Sequence, residues 1–137
     1  MEDRFNDLLN EMWAAVIDTY EFDILKNTIR FELKTIDNGY ENKIKLIFEG
    51  VSAWYFVENI GEERHNTKDK AEDDDYLELT SIDYYKGGIG EIKPLSVDEE
   101  WVLQYYSNAN FALEIWNALL LIEAKSVIIN GSKYTVS

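Results

Sequence analysis

FALEIWNALLLIEAKSVIINGSKYTV, residues 111–136, is the stretch whose reading decides the fold. Ala, Leu and Glu favour a helix across 111–124. That helix would be apolar almost all round, with Glu114 and Glu123 on opposite faces, which suits only a deeply buried position. The alternative breaks the stretch at Asn117, Lys125 and Gly131 into strands of ordinary length. Val127, Ile128 and Ile129 are β-branched and strand-like. The residues alone leave 111–124 open between the two.

Elsewhere the pattern is clearer. Phe5, Leu8, Leu9, Met12, Trp13, Val16 and Ile17 recur at helical spacing across 3–17, one stripe of an amphipathic helix. Asp3 and Asp7 sit near its start, where the helix dipole favours negative charge. The stripe is expected to be core, packed through Phe5, Leu9, Met12, Trp13 and Val16. From Asp18 the period becomes two. Tyr20, Phe22 and Ile24 alternate with acids, then Ile29, Phe31 and Leu33 with Arg30, Glu32 and Lys34. Asn38-Gly39 supplies a hairpin turn, after which Ile44, Leu46 and Phe48 alternate with Lys43, Lys45 and Glu49. This predicts an antiparallel meander with one wet face, on which Lys26, Arg30, Lys34, Lys43 and Lys45 cluster.

VSAWYFVEN, 51–59, is apolar on both faces and reads as a more central strand. Residues 60–75 hold no periodic pattern and are expected to form an acidic, mobile loop. YLELTSIDYY, 76–85, returns to alternation. KGGIGEIKPL, 86–95, breaks structure with three glycines and Pro94. Ser96 and Glu99 offer a capping box for a short helix across 97–104. The fold class expected from this pass is α+β: one amphipathic N-terminal helix packed on a mainly antiparallel sheet, in a single domain over 1–137.

The chain has 137 residues, 46% of them hydrophobic and 14% aromatic, which fits a globular protein with a real core. The N-terminus is acidic and lacks the pattern of a secretory signal. No apolar run is long enough for a membrane helix. The absence of cysteine removes disulfide and thiolate chemistry and fits a reducing cytoplasm. The net charge of −14 is unevenly placed. Residues 2–23 carry seven acids against Arg4, and 62–83 carry nine against Arg64, Lys68 and Lys70. Such a surface repels nucleic acid and anionic lipid and attracts basic proteins.

Most catalytic chemistry finds no footing. His65 is the sole imidazole and lies in a charged run without a nucleophile motif, so it reads as a surface residue. Ordinary zinc sites are absent. The run Glu72, Asp73, Asp74 and Asp75 fails as a calcium loop: numbered from Asp73, the sixth position is Glu78 rather than glycine, and the twelfth is Tyr84 rather than glutamate. GGIG, 87–90, lacks the Lys-Ser/Thr of a phosphate loop and reads as a turn. No metal, cofactor or catalytic residue is therefore expected. The candidate partner-binding residues are Glu72, Asp73, Asp74 and Asp75, which would capture a basic surface, with Tyr84 and Tyr85 supplying contact area.

Three segments, YEFDILKNTIRFELK, KLIFEGVSAWYF and NFALEIWNALLLIEAKSVIINGSKY, resemble the YxiG-like family of small bacterial proteins. The resemblance runs from Tyr20 to Tyr134 apart from the acidic stretch. Its motifs are packing motifs, so it implies no site residues. It implies a cytoplasmic protein and suggests an immunity or antidote role against a toxin. It also tips 111–124 toward strands. The function expected is a non-enzymatic acidic protein-binding domain with a basic partner. The alternatives are an accessory domain whose acidity serves solubility, and a ligand binder or carboxylate-dependent enzyme with a pocket in the sheet.

Overall fold

The structure is a computed structural model that describes residues 2–58, 76–95, 98–116 and 118–136. Helix α1 (Glu2–Asn10) leads into strands β1 (Ala15–Asp23), β2 (Thr28–Asp37) and β3 (Tyr40–Glu49). Strands β4 (Ala53–Val57) and β5 (Leu77–Tyr84) follow. An excursion then holds β6 (Glu91–Ile92), helix α2 (Glu100–Leu103) and β7 (Ser107–Asn108). The chain closes with β8 (Phe111–Ile115), β9 (Ala118–Glu123), β10 (Ser126–Ile129) and β11 (Ser132–Thr135).

The described residues of 111–136 therefore form four strands and no helix. The β8–β9 turn passes through Trp116 at φ 52, close to the break anticipated at Asn117. Alternation settles the matter physically. Phe111, Leu113, Leu120 and Ile122 are buried, while Ala112, Leu119 and Leu121 between them are only half-buried. A helix would have carried Leu119, Leu120 and Leu121 round three directions; the strand sends alternate side chains to opposite faces.

Nine strands form one antiparallel sheet in the order β11-β10-β3-β2-β1-β5-β8-β9-β4, and β6 pairs separately with β7. In a flat sheet, β3 and β8 stand four strand spacings apart, roughly 19 Å. Yet the rings of Phe48 on β3 and Phe111 on β8 are 5.0 Å apart. The sheet therefore folds over on itself into two layers. One layer is β11-β10-β3-β2-β1 and the other is β5-β8-β9-β4. Strand β1 joins them, pairing with β2 along its length and with β5 through Ala15, Val16 and Ile17. A register irregularity between Ile17 and Thr19 marks the change of layer. The core lies between the layers and includes Ile29, Phe31, Leu33, Leu46, Phe48, Leu79, Leu113, Leu120, Ile122 and Val127.

The expected α+β class is overturned. The fold is β-rich, and α1 is a short plug rather than a layer of its own. Its Phe5 ring meets Tyr84 at 5.7 Å, Phe111 at 6.3 Å and Tyr134 at 5.3 Å, wedged between the layers. The helix expected over 3–17 ends at Asn10. A turn through Met12 and Ala14 (φ 60) follows, held by the Ala14 N–H donating to the Thr80 carbonyl. Val16 and Ile17 then enter the sheet, where β-branched side chains and two pairing partners outweigh the helical spacing. Phe5, Leu9 and Met12 are buried as expected, but Trp13 is 68% exposed.

The β2–β3 hairpin stands as the alternation indicated, whereas in β1 Tyr20 is 59% exposed and Ile24, past the strand's end at Asp23, is 79% exposed. The Asn38-Gly39 turn has φ 52 and 83, the pair of positive values that a tight hairpin needs. Strand β4, read as central, is an edge strand. The stretch 60–75, read as a loop, lies outside the described residues. The short helix expected over 97–104 is Glu100–Leu103. Glu99 is itself the N-cap and makes no side-chain cap hydrogen bond, so the capping-box role does not form; Ser96 lies outside the described residues.

Candidate protein-interaction surface

Of the residues singled out in the sequence, Tyr84 and Tyr85 are among the described residues. Glu72, Asp73, Asp74 and Asp75 lie outside the described residues. They end one residue before Tyr76, at the start of β5, whereas Tyr84 and Tyr85 sit at its other end. Tyr84 is half-buried. Its ring lies 5.2 Å from Phe111, and its hydroxyl donates to the Val136 carbonyl at 3.2 Å, so it braces the two layers. Tyr85 is exposed, and its backbone N–H donates to the Asn110 carbonyl at 2.8 Å.

Sequence reasoning missed the aromatics that the excursion between β5 and β8 presents. Trp101 and Tyr106 are 60% and 68% exposed, and Tyr105 stacks edge-on against Trp101 at 6.1 Å. Helix α2 buries no residue, so it displays these rings rather than packing them. Nothing in the periodicity marks them, because exposure here follows from the fold.

Two asparagines hold the excursion in place. Asn108 donates to the Gly87 carbonyl at 2.9 Å and accepts from the Gly90 N–H at 3.0 Å. The GGIG turn wraps this side chain so closely that a Cβ at Gly88 (φ 90) would collide with it. That clash and the positive φ explain the glycine at this position. Asn110 is 8% exposed, donates to the Ala124 carbonyl at 2.9 Å and accepts from the Ala124 N–H at 3.0 Å. Its amide completes the pairing where the chain crosses from β9 to β10.

The strands of the two layers differ in their cations rather than their acids; in the first layer β1 also carries only acids, Asp18, Glu21 and Asp23. Strands β4, β5, β8 and β9 carry Glu78, Asp83, Glu114 and Glu123 and no lysine or arginine. Strands β2, β3 and β11 carry Arg30, Lys34, Lys43, Lys45 and Lys133 among their acids. Lys34 reaches Glu41 at 3.6 Å and Lys133 reaches Glu49 at 3.3 Å. A second exposed aromatic pair, Tyr76 and Trp116, meets edge-on at 5.6 Å beside the start of β5.

A depression of about 180 Å³ lies between the β1–β2 turn and the β3–β4 crossover, beside Trp54. Asp23 is the one acid in its lining, and Asp23 Oδ1 already accepts from the Lys26 N–H at 3.0 Å. It therefore holds no pair of converging carboxylates. Among the described residues no group of three His, Cys, Asp or Glu could hold a metal ion, and no helix is long and apolar enough to cross a membrane. His65 lies outside them.

These features define a β-rich acidic domain with exposed aromatic and acid-only surfaces. The chain belongs to the YxiG-like protein family, whose model matches residues 5–134. It is similar to the uncharacterized protein YxiG of Bacillus subtilis (strain 168), 26% identical over 126 residues that cover 87% of this chain and 85% of that protein. The family match reaches past the segments that first suggested it, back to Phe5 in α1.

Proposed function

We propose that the protein is a non-enzymatic acidic binding domain that captures a basic protein partner in the cytoplasm. The observation that carries this is the separation of charge: a whole layer of strands has carboxylates and no cation, on a chain of net charge −14. Such a surface raises the encounter rate with a basic protein and suppresses binding to phosphate backbones. Exposed Trp101, Tyr105 and Tyr106 supply rigid contact area once the partner arrives. The finer reading is an immunity or antidote role, in which the basic partner is a toxin and the complex keeps it inactive.

Co-expression with the product of the adjacent gene, followed by size-exclusion chromatography, tests the proposal. The expected result is a complex at low salt that dissociates as sodium chloride rises. Neutralising Glu72, Asp73, Asp74 and Asp75 to Asn or Gln should slow association several-fold at low salt, roughly the scale expected of electrostatic steering. Failure to form a complex at low salt would overturn the reading.

A further inference from the structure

Strands β4 and β9 share an unusual property: both are apolar on both faces. In an antiparallel sheet that pattern belongs to a strand covered on either side. Here the two strands pair with each other, and β4 forms the sheet edge. Leu120 and Ile122 of β9 point into the core, so Leu119, Leu121 and Glu123 point outward. Register extends the outward set across the layer. Tyr55, Leu121, Ala112 and Asp83 form one row, and Val57, Leu119, Glu114 and Ser81 the next. The result is an apolar strip on the solvent side of the sheet, bordered by carboxylates. Tyr55 is 54% exposed at its free margin. The equivalent outward positions of β2 and β3 are Arg30, Glu32, Lys34, Lys43, Lys45 and Glu41, with Ile36 and Ile47 set singly among them, a mostly wet face.

We propose that this outer face of β8, β9 and β4 is a docking surface for a basic segment of a partner protein. The partner's apolar side chains would lie on Tyr55, Leu119 and Leu121, and its Lys or Arg side chains would reach Asp83 and Glu114, whereas Glu123 Oε1 already accepts from the Asn108 N–H at 3.3 Å. This rests on the protein-binding reading and names its surface. Charge selects the occupant. A second copy docking through the same face would bring Glu114 and Asp83 against their own equivalents, and a nucleic acid would bring phosphates against them. A basic amphipathic segment instead covers the leucines while its cations meet acids at the rim, where charge complementarity steers the encounter and fixes orientation.

The experiment titrates the 15N-labelled full chain with a synthetic peptide of alternating lysine and leucine, and with its glutamate–leucine counterpart. The lysine peptide should shift the amides of Tyr55, Glu114, Leu119 and Leu121, and the glutamate peptide should leave them unmoved. Leu121→Lys should weaken binding by about tenfold or more, since it places a like charge in the contact. Leu121→Thr should weaken it less. Both variants face solvent, and a dispersed spectrum verifies that they fold. Four results would overturn the proposal: equal response to both peptides, shifts confined to the outer face of β2 and β3 or to Trp101–Tyr106, no response, or concentration-dependent broadening of β4 in the free chain. The last would assign the face to self-association. If the complex with the adjacent gene product forms but is indifferent to Leu121→Lys, this surface is wrong and the binding reading stands. If the peptide binds here and that complex never forms, the surface stands without that partner.

Discussion

The outer face of β2 and β3 and the outer face of β9 and β4 belong to one sheet, yet water meets very different side chains on each. The first interleaves Arg30, Glu32, Lys34, Lys43 and Lys45, with Lys34 reaching Glu41. Hydration of these groups keeps that face mostly wet, with Ile36 and Ile47 set singly among them. The second sets Tyr55, Leu119 and Leu121 among carboxylates that have no cation on their own strands. A sheet can fold with either face, because stability is decided mainly by the side that enters the core. The difference therefore says little about folding and a good deal about what each face meets in solution.

The comparison depends on which leucines of β9 point inward, and two neighbouring substitutions test that most strongly. Leu120→Ala should cost about 2–5 kcal/mol, because Leu120 is 1% exposed and its loss leaves a cavity. Leu121→Ala, one residue on, should cost less than about 1 kcal/mol. Equal losses in urea melts would dissolve the distinction between the faces and return 111–124 to the helical reading.

Next in size is the clip that holds the second layer to the β9–β10 crossing. Asn110→Ala should cost about 1–3 kcal/mol, because it leaves the Ala124 N–H and carbonyl without their side-chain partners. Asn110→Asp should lose nearly as much, since a carboxylate accepts from the N–H but cannot donate to the carbonyl. A near-neutral Asn110→Ala in chemical denaturation would show that the crossing is held by the strands alone.

Trp13 is a smaller matter than its position in the helical stripe suggested. With 68% of it exposed, Trp13→Ala should cost under about 1 kcal/mol, against the 3–5 kcal/mol of a buried tryptophan. A large loss would put the α1–β1 junction in the core after all. The smallest effects are electrostatic and should differ in sign between the faces. Sodium chloride should raise the melting temperature modestly by screening the surplus acids. Glu114→Gln, on the acid-only face, should raise it slightly at low salt, and Lys133→Gln, which loses the contact to Glu49, should lower it slightly. Parallel thermal melts at low and moderate salt would separate the two, and a steady fall with salt would show that ion pairs outweigh repulsion.

Local chemistry alone was enough to place the β2–β3 hairpin. Alternation of Ile29, Phe31 and Leu33 with charged residues defines a one-sided strand, and Asn38-Gly39 can hardly do anything but turn. The same holds for β5 and for the family membership carried by the packing motifs. Of the candidate site, the tyrosines were visible but their roles were not: Tyr84 braces the core through Val136, and the rings on display are Trp101, Tyr105 and Tyr106. Where the strands of the second layer sit was a tertiary decision. Residues apolar on every side fit a buried helix, a central strand or a covered edge equally well, because burial energy counts area and not position. Only the pairing of β4 with β9 at the rim of the sheet, and the closure of Phe48 onto Phe111, fixed which was true. The N-terminal stripe shows the same limit. Helical spacing from Phe5 to Ile17 was real, but Val16 and Ile17 had strands on both sides to pair with, and those long-range hydrogen bonds and contacts exist only once the sheet has formed.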